Sequence, residues 1–205
     1  MSQNRQQTVQ NVTALVLAGG QGRRMQGQDK GLVEVAGRPL INYVIERIRP
    51  QVETVLVSAN RNQADYMAVA DAVVRDDPEL GERYAGPLAG VLAGLEYART
   101  EYVFTMPCDT PCLPGNLLPE LMNVLQANRA DIAYAHDGKR GQPLIMLLRR
   151  QLAPLLREWL LNGGRAAHEW IAAQQHCVVQ FDAPDAFTNL NTAEDCASFA
   201  LHGCK

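Results

Sequence analysis

A three-layer α/β fold built on a mostly parallel, mixed sheet is what the sequence predicts, on three observations. Short apolar runs alternate with segments of helical period along the chain, the pattern of strand–helix units folded into one sheet. The first run, Leu15-Val16-Leu17, is apolar at every position, as in a strand buried on both faces, and it runs into a glycine-rich loop. Further on, Asp137-Gly138 is a hairpin-type dipeptide followed by another apolar run, so part of the sheet is expected to be antiparallel.

The elements follow in order. Residues 12–17 form the first strand. Pro39 suits a first helical position, because its fixed φ matches the helix and its missing N–H costs nothing there, and that helix runs to about Arg49 before Pro50. Val55-Leu56-Val57 is a second buried strand, residues 62–69 a short helix, and Val73-Val74 a short strand ending near Asp76. Gly86-Pro87 opens a helix whose Leu88, Val91, Leu92 and Leu95 keep the i, i+3, i+4, i+7 spacing of a core-facing stripe. Residues 102–106 are the next strand and deliver Pro107-Cys108-Asp109 at its carboxyl end. A helix to about Leu125, a strand at 131–135, the turn 136–141 and the apolar run 144–148 follow. A last strand, 177–181, precedes Asn189-Leu190-Asn191, and Thr192 with Asp195 has capping-box spacing for a final helix. Ligands of open α/β sheets gather at the carboxyl ends of strands, so Gly19, Ser58 and Asp109 are expected at one edge.

Composition narrows the function. The chain has 205 residues, 47% of them apolar, enough for one sizeable core, so residues 12–205 read as a single domain. Residues 1–11 are polar, Gln-rich and lack an apolar h-region, so they read as a disordered tail and not a signal peptide. A net charge of −3 argues against nucleic acid or a membrane surface as the main partner. Five cysteines without a framework spacing point to reduced thiols and a cytoplasmic protein, and Cys108 and Cys112 read as buried thiols, not half of a zinc set. His136, His168, His176 and His202 form no metal spacing.

The loop after the first strand carries the chemistry. Gly19, Gly20 and Gly22 let backbone approach a ligand and aim N–H groups at an anion, while Arg23, Arg24 and Lys30 supply positive charge. It is not a Walker loop, since Gln28 and not lysine follows Gly27. Nor is it a dinucleotide fingerprint, since Met25 stands where the third glycine would be.

Leu17-Ala18-Gly19-Gly20, Arg24-Met25, Asp29-Lys30 and Gly37-Arg38-Pro39-Leu40 resemble the signature of nucleotidyltransferases of the nucleotide-diphospho-sugar transferase fold. With Ala-Gly-Gly in the loop, Pro107-Cys108-Asp109-Thr110-Pro111, Gly86-Pro87-Leu88-Ala89-Gly90, Gln142-Pro143 and Asn189-Leu190-Asn191-Thr192 in the family's order, the chain from Val12 onward is similar to the molybdenum cofactor guanylyltransferases. The resemblance implies a Rossmann-like nucleotidyltransferase fold. It also implies transfer of GMP from Mg·GTP to molybdenum-molybdopterin with release of pyrophosphate, and transient contact with proteins that deliver molybdopterin or accept the finished cofactor. The rival readings are a cytidylyl- or sugar-phosphate nucleotidyltransferase on the same fold, and a non-catalytic nucleotide-binding regulator. Ala-Gly-Gly, where cytidylyl relatives are expected to have Ala-Ala-Gly, speaks against the first, and Arg24, Lys30 and Asp109 together speak against the second.

On this reading Arg24, as a planar fork, and Lys30, as a mobile point charge, hold the triphosphate against charge that grows on the phosphate oxygens; Arg23 faces either phosphate or solvent. Asp109 is the Mg²⁺ ligand, since that ion takes one or two carboxylates plus water and phosphate oxygens. Leu17, Ala18, Gly19 and Gly20 match the family's nucleotide-binding backbone and Asp76 a nucleotide-contacting aspartate. Ser58 aligns where the family often has asparagine, which leaves neighbouring Asn60 to share that contact. Asn189 and Asn191 alternate on an extended segment and either reach phosphates and acceptor or cap the last helix. Lys139, Arg140 and Arg165 are weaker candidates for the acceptor's phosphate.

Overall fold

The computed structural model describes residues 11–19, 29–80 and 86–204. Seven strands form one sheet in the order β5-β4-β1-β6-β8-β7-β9: β1 (Val12–Leu17), β4 (Thr54–Ser58), β5 (Ala72–Val74), β6 (Tyr102–Pro107), β7 (Ile132–His136), β8 (Gly141–Arg149) and β9 (His176–Gln180). β8 is antiparallel to both its neighbours, and the other pairings are parallel. The mixed sheet thus comes from the hairpin that Asp137-Gly138 announces. Asp137 is the anchor of that turn: its carboxylate accepts N–H bonds from Lys139 and Arg140, each 2.7 Å, and a third from Gln142 Nε2. These bonds hold its pKa down, to about 2, with the Arg140 N–H the largest cause.

Two apolar layers cover the sheet, and β1 shows how. Its Val12, Ala14 and Val16 join one cluster, packed under α1 (Leu40–Ile48) and α4 (Leu117–Asn128). Leu15 joins the other, under α3 (Pro87–Tyr97), α5 (Ala153–Leu161) and α6 (Ala167–Ala172). Strict alternation of sides along a strand buried on both is the period of two acting on an all-apolar run. α3 lies unusually close to the sheet, because a Cβ on Gly94 would sit 2.3 Å from Leu15 Cδ2 and one on Gly90 2.3 Å from Ser58 Oγ.

Several boundaries differ from those the sequence predicts. Pro39 is paired in a small hairpin, β2 (Glu34–Val35) with β3 (Arg38–Pro39), and α1 starts one residue later. The short helix, α2, spans Gln63–Met67, α4 begins at Leu117, and β8 already begins at Gly141. α5 and α6 carry no strong signal in the sequence beyond Pro154 in the first turn. The last helix, α7 (Ala193–His202), has the expected capping box, with Asp195 N donating to Thr192 Oγ1 and Thr192 N to Asp195 Oδ2.

The expectation of five reduced thiols fails at one pair. Cys112 and Cys204 form a disulfide that ties the end of α7 to the segment after Asp109. The partners are 92 residues apart in sequence, so a search for short Cys spacings does not find them. Cys108 is a free buried thiol, as expected, and burial pushes its pKa up.

Candidate functional site

The carboxyl ends of β1, β4, β5 and β6 bring the candidate residues to one edge. Leu17 is in register with Ser58 on one side and Pro107 on the other. The ladder continues past the strands: Ala18 N donates to Ser58 O at 2.9 Å, Cys108 N to Leu17 O at 3.1 Å and Ala59 N to Val74 O at 3.0 Å. Gly19, Asn60, Asp76 and Asp109 therefore follow their strands onto the same rim.

The part of the rim that follows β6 holds an ion pair and an amide. Lys30, in the 3-10 turn Lys30–Leu32, donates from Nζ to Asp109 Oδ2 and to Asn191 Oδ1. Asn191 is there because Leu190 N donates to Asp109 O at 2.9 Å, which lays the Asn-Leu-Asn segment along the loop carrying Asp109. Asp109 is buried, and its Oδ1 accepts no hydrogen bond among the described residues. An orphaned carboxylate oxygen is costly away from water unless a cation or donor meets it. Among the described residues no group of three or more His, Cys, Asp and Glu forms a metal cage. This donor set fits Mg²⁺, which keeps several waters and binds through one or two carboxylates and substrate phosphates, and would not fit a metal needing an all-protein shell.

In the Asn-Leu-Asn segment, Asn191 joins the cap of α7 through its backbone and meets Lys30 through its side chain. Asn191 N donates to Asp195 Oδ2 and so extends the cap of α7, which helps hold the Asp195 carboxyl below its usual pKa. Its side chain meets Lys30 instead, and its Nδ2 also donates to Asn189 O at 3.4 Å.

The opposite side of the rim is built from an amide and a carboxylate. Asn60 and Asp76 bond reciprocally, Nδ2 to Asp76 Oδ2 at 2.8 Å and Asp76 N to Asn60 Oδ1 at 3.0 Å. Burial raises the pKa of Asp76, and the Asn60 bond opposes this. A Cβ built on Gly19 would lie 3.8 Å from Asn60 Nδ2, so that amide stands beside the glycine backbone. The side chain of Ser58 is buried against Gly90 instead. Arg165 donates to Leu160 O and Gly164 O, which satisfies the end of α5, while Lys139 and Arg140 sit on the turn after β7, at the same edge as Asp109. Gly20 and Arg24 lie outside the described residues.

Sequence reasoning missed Tyr66 and Asn62, which hold Asp29: Tyr66 Oη donates to Oδ1 and Asn62 Nδ2 to Oδ2 at 3.1 Å. The only signal for either was position on the short α2.

The MobA-like NTP transferase domain family matches residues 14–178. A molybdenum cofactor guanylyltransferase of Shewanella putrefaciens is 41% identical over 192 residues, covering 93% of this chain and 97% of that one. The protein of the same name from Serratia proteamaculans is 44% identical over 188 residues, covering 91% and 93%. In three dimensions the chain is similar to molybdopterin-guanine dinucleotide biosynthesis protein A from Archaeoglobus fulgidus, with TM-score 0.73 at 22% identity over 91% of this chain and 95% of that one. It is also similar to the 4-diphosphocytidyl-2C-methyl-D-erythritol synthase of Anaerococcus prevotii, with TM-score 0.69 at 15% identity over 95% of each. Such distant likenesses show the nucleotidyltransferase fold, common to guanylyl and cytidylyl enzymes.

Proposed function

The chain belongs to the MobA-like NTP transferase family, and on that premise we propose that it transfers GMP from Mg·GTP to the terminal phosphate of molybdenum-molybdopterin. An acceptor phosphate oxygen attacks the α-phosphorus of GTP and a new P–O–P linkage forms. The bond from the α-phosphorus to the bridging oxygen breaks, and pyrophosphate leaves with the electron pair. A phosphate monoester has a second pKa of about 6, so the acceptor is already largely ionised at neutral pH and needs no strong base.

The protein has then to place two anions against each other and neutralise them. Lys30 serves the triphosphate, with Arg24 as its partner from the glycine-rich loop. Asp109 would hold Mg²⁺, which when bound offsets charge on the phosphate oxygens. Asn191, and Asn189 beside it, orient Lys30 and the phosphates. Leu17, Ala18, Gly19 and Gly20 present backbone to the nucleotide, and Asp76 with Asn60 lines its far end, with Ser58 contributing its carbonyl to the strand end beneath. Molybdopterin-delivering and cofactor-accepting proteins are its transient partners. Among the described residues no helix is long and apolar enough to cross a membrane.

The observation that carries this reading is the Lys30–Asp109–Asn191 trio on the rim that Gly19 shares, in a chain 41–44% identical to guanylyltransferases. The test is the melting temperature in Mg²⁺ with GTP, CTP, ATP or UTP, because a ligand that binds only the native state raises it. GTP should give the largest shift; a larger shift with CTP would favour a cytidylyltransferase.

A further inference from the structure

We propose that Tyr66, acting through Asp29, is a positioning residue for Lys30. This rests on the role given to Lys30 above and adds a part of the site that the nucleotide does not touch.

Tyr66 is fully buried, yet its hydroxyl reaches the half-buried carboxylate of Asp29. Burial and the Asp29 carboxylate both raise the phenol's pKa, so it stays protonated and donates. Asn62 donates to the other Asp29 oxygen from the left-handed conformation, φ +49°, that begins α2. The carboxylate is thus spent on α2, although it belongs to the residue next to Lys30. Unclamped, that negative charge would be free to turn toward the adjacent ammonium and compete with phosphate for it. Asp29 also begins the turn that aims Lys30, since Leu32 N donates to Asp29 O at 3.0 Å.

Gly31 is the third part. A Cβ there would lie 2.7 Å from Tyr66 Oη and 3.2 Å from Cε1, so the residue after Lys30 must be glycine for the phenol to reach Asp29. The three consecutive residues therefore act together. Tyr66 grips Asp29, Gly31 makes room for the phenol, and Lys30 between them is left pointing at Asp109 and Asn191. Misplacement of a charged group by even about 1 Å is costly in a site that works by prearranged charge.

The test is a double-mutant cycle on the full chain, reading GTP affinity in Mg²⁺ by calorimetry for wild type, Tyr66→Phe, Lys30→Ala and both together. Tyr66→Phe keeps the ring and removes the donor. It should weaken GTP about fivefold to tenfold in the wild-type background, a part of what a hydrogen bond to a charged group is worth, and by less than about twofold once Lys30 is absent. Equal losses in both backgrounds, or no loss in either, would overturn the proposal, since a merely structural tyrosine would not know whether Lys30 is present. If Lys30→Ala itself leaves GTP affinity unchanged, the role of Lys30 fails and not only the coupling. Should Tyr66→Phe fail to fold, Asn62→Gly keeps the backbone conformation and removes the other Asp29 donor. It should show the same non-additivity in smaller measure, and additive losses there would equally overturn the proposal.

Discussion

Lys30 meets one oxygen of Asp109 and leaves the other, Oδ1, buried and without a hydrogen-bond donor among the described residues. The pair is therefore asymmetric: one oxygen is committed to fixing the ammonium, and the second offers a carboxylate position suited to a hard cation. Asp109→Asn keeps the shape and removes the charge. Turnover should fall by roughly two orders of magnitude, the scale of losing one strong electrostatic stabiliser, with an unchanged circular dichroism spectrum. Near-normal turnover would remove Asp109 from the mechanism.

Base preference should register at Gly19. A Cβ there lies 3.8 Å from Asn60 Nδ2 and 3.9 Å from Ser58 O, ordinary contact distances, so Gly19→Ala should fold normally and add bulk on the rim proposed to receive the nucleotide. A purine leaves less room for that methyl than a pyrimidine does. The kcat/KM ratio of GTP over CTP should drop by roughly ten- to two-hundred-fold, the usual range for steric discrimination by about one carbon. An unchanged ratio would move base choice elsewhere on the rim, to Asn60 and Asp76 first.

Asp137 gives a pH signature. Its pKa of about 2 lies below the ordinary 3.8, so its contribution to stability is present above the ordinary value and is lost as pH falls through the folded one. The difference in denaturation midpoint between wild type and Asp137→Asn should be full above about pH 5 and should shrink toward pH 2. A difference independent of pH would show that the carboxylate's charge is not what holds the turn.

The Cys112–Cys204 bond fastens the last residues of the chain to the segment just after Asp109. Cys204→Ser should lower the melting temperature measured without reductant by several degrees, consistent with a typical disulfide contribution of about 2–4 kcal/mol. Wild type in excess dithiothreitol should melt with the variant. Identical melting of oxidised wild type and variant would show that the bond adds nothing to stability.

What the sequence shows of this fold divides by range. The capping box of Thr192 and Asp195, the turn at Asp137-Gly138 and the apolar stripe of α3 are local, and each is legible because its partners lie within a few residues. The rim itself is legible too, because strand ends of a parallel sheet gather by topology. The contacts that set the site are not: Lys30 with Asp109 spans 79 residues, Asp29 with Tyr66 spans 37 and Cys112 with Cys204 spans 92. No spacing rule links such pairs, since loop and strand order bring them together. Asp29-Lys30 is the instructive case. The dipeptide stands out in the sequence as one unit, whereas the fold sends its two charges to different partners, Asp29 to α2 and Lys30 to Asp109.

Product formation is the most direct measurement. Purified protein is given α-phosphate-labelled GTP, or labelled CTP, with Mg²⁺ and molybdenum-molybdopterin, and both dinucleotide and pyrophosphate are quantified. A guanylyltransferase should release one pyrophosphate per molybdopterin guanine dinucleotide formed, with GTP strongly preferred. Label transferred from CTP in preference to GTP, or no transfer from either by folded protein that still binds GTP, would contradict that assignment.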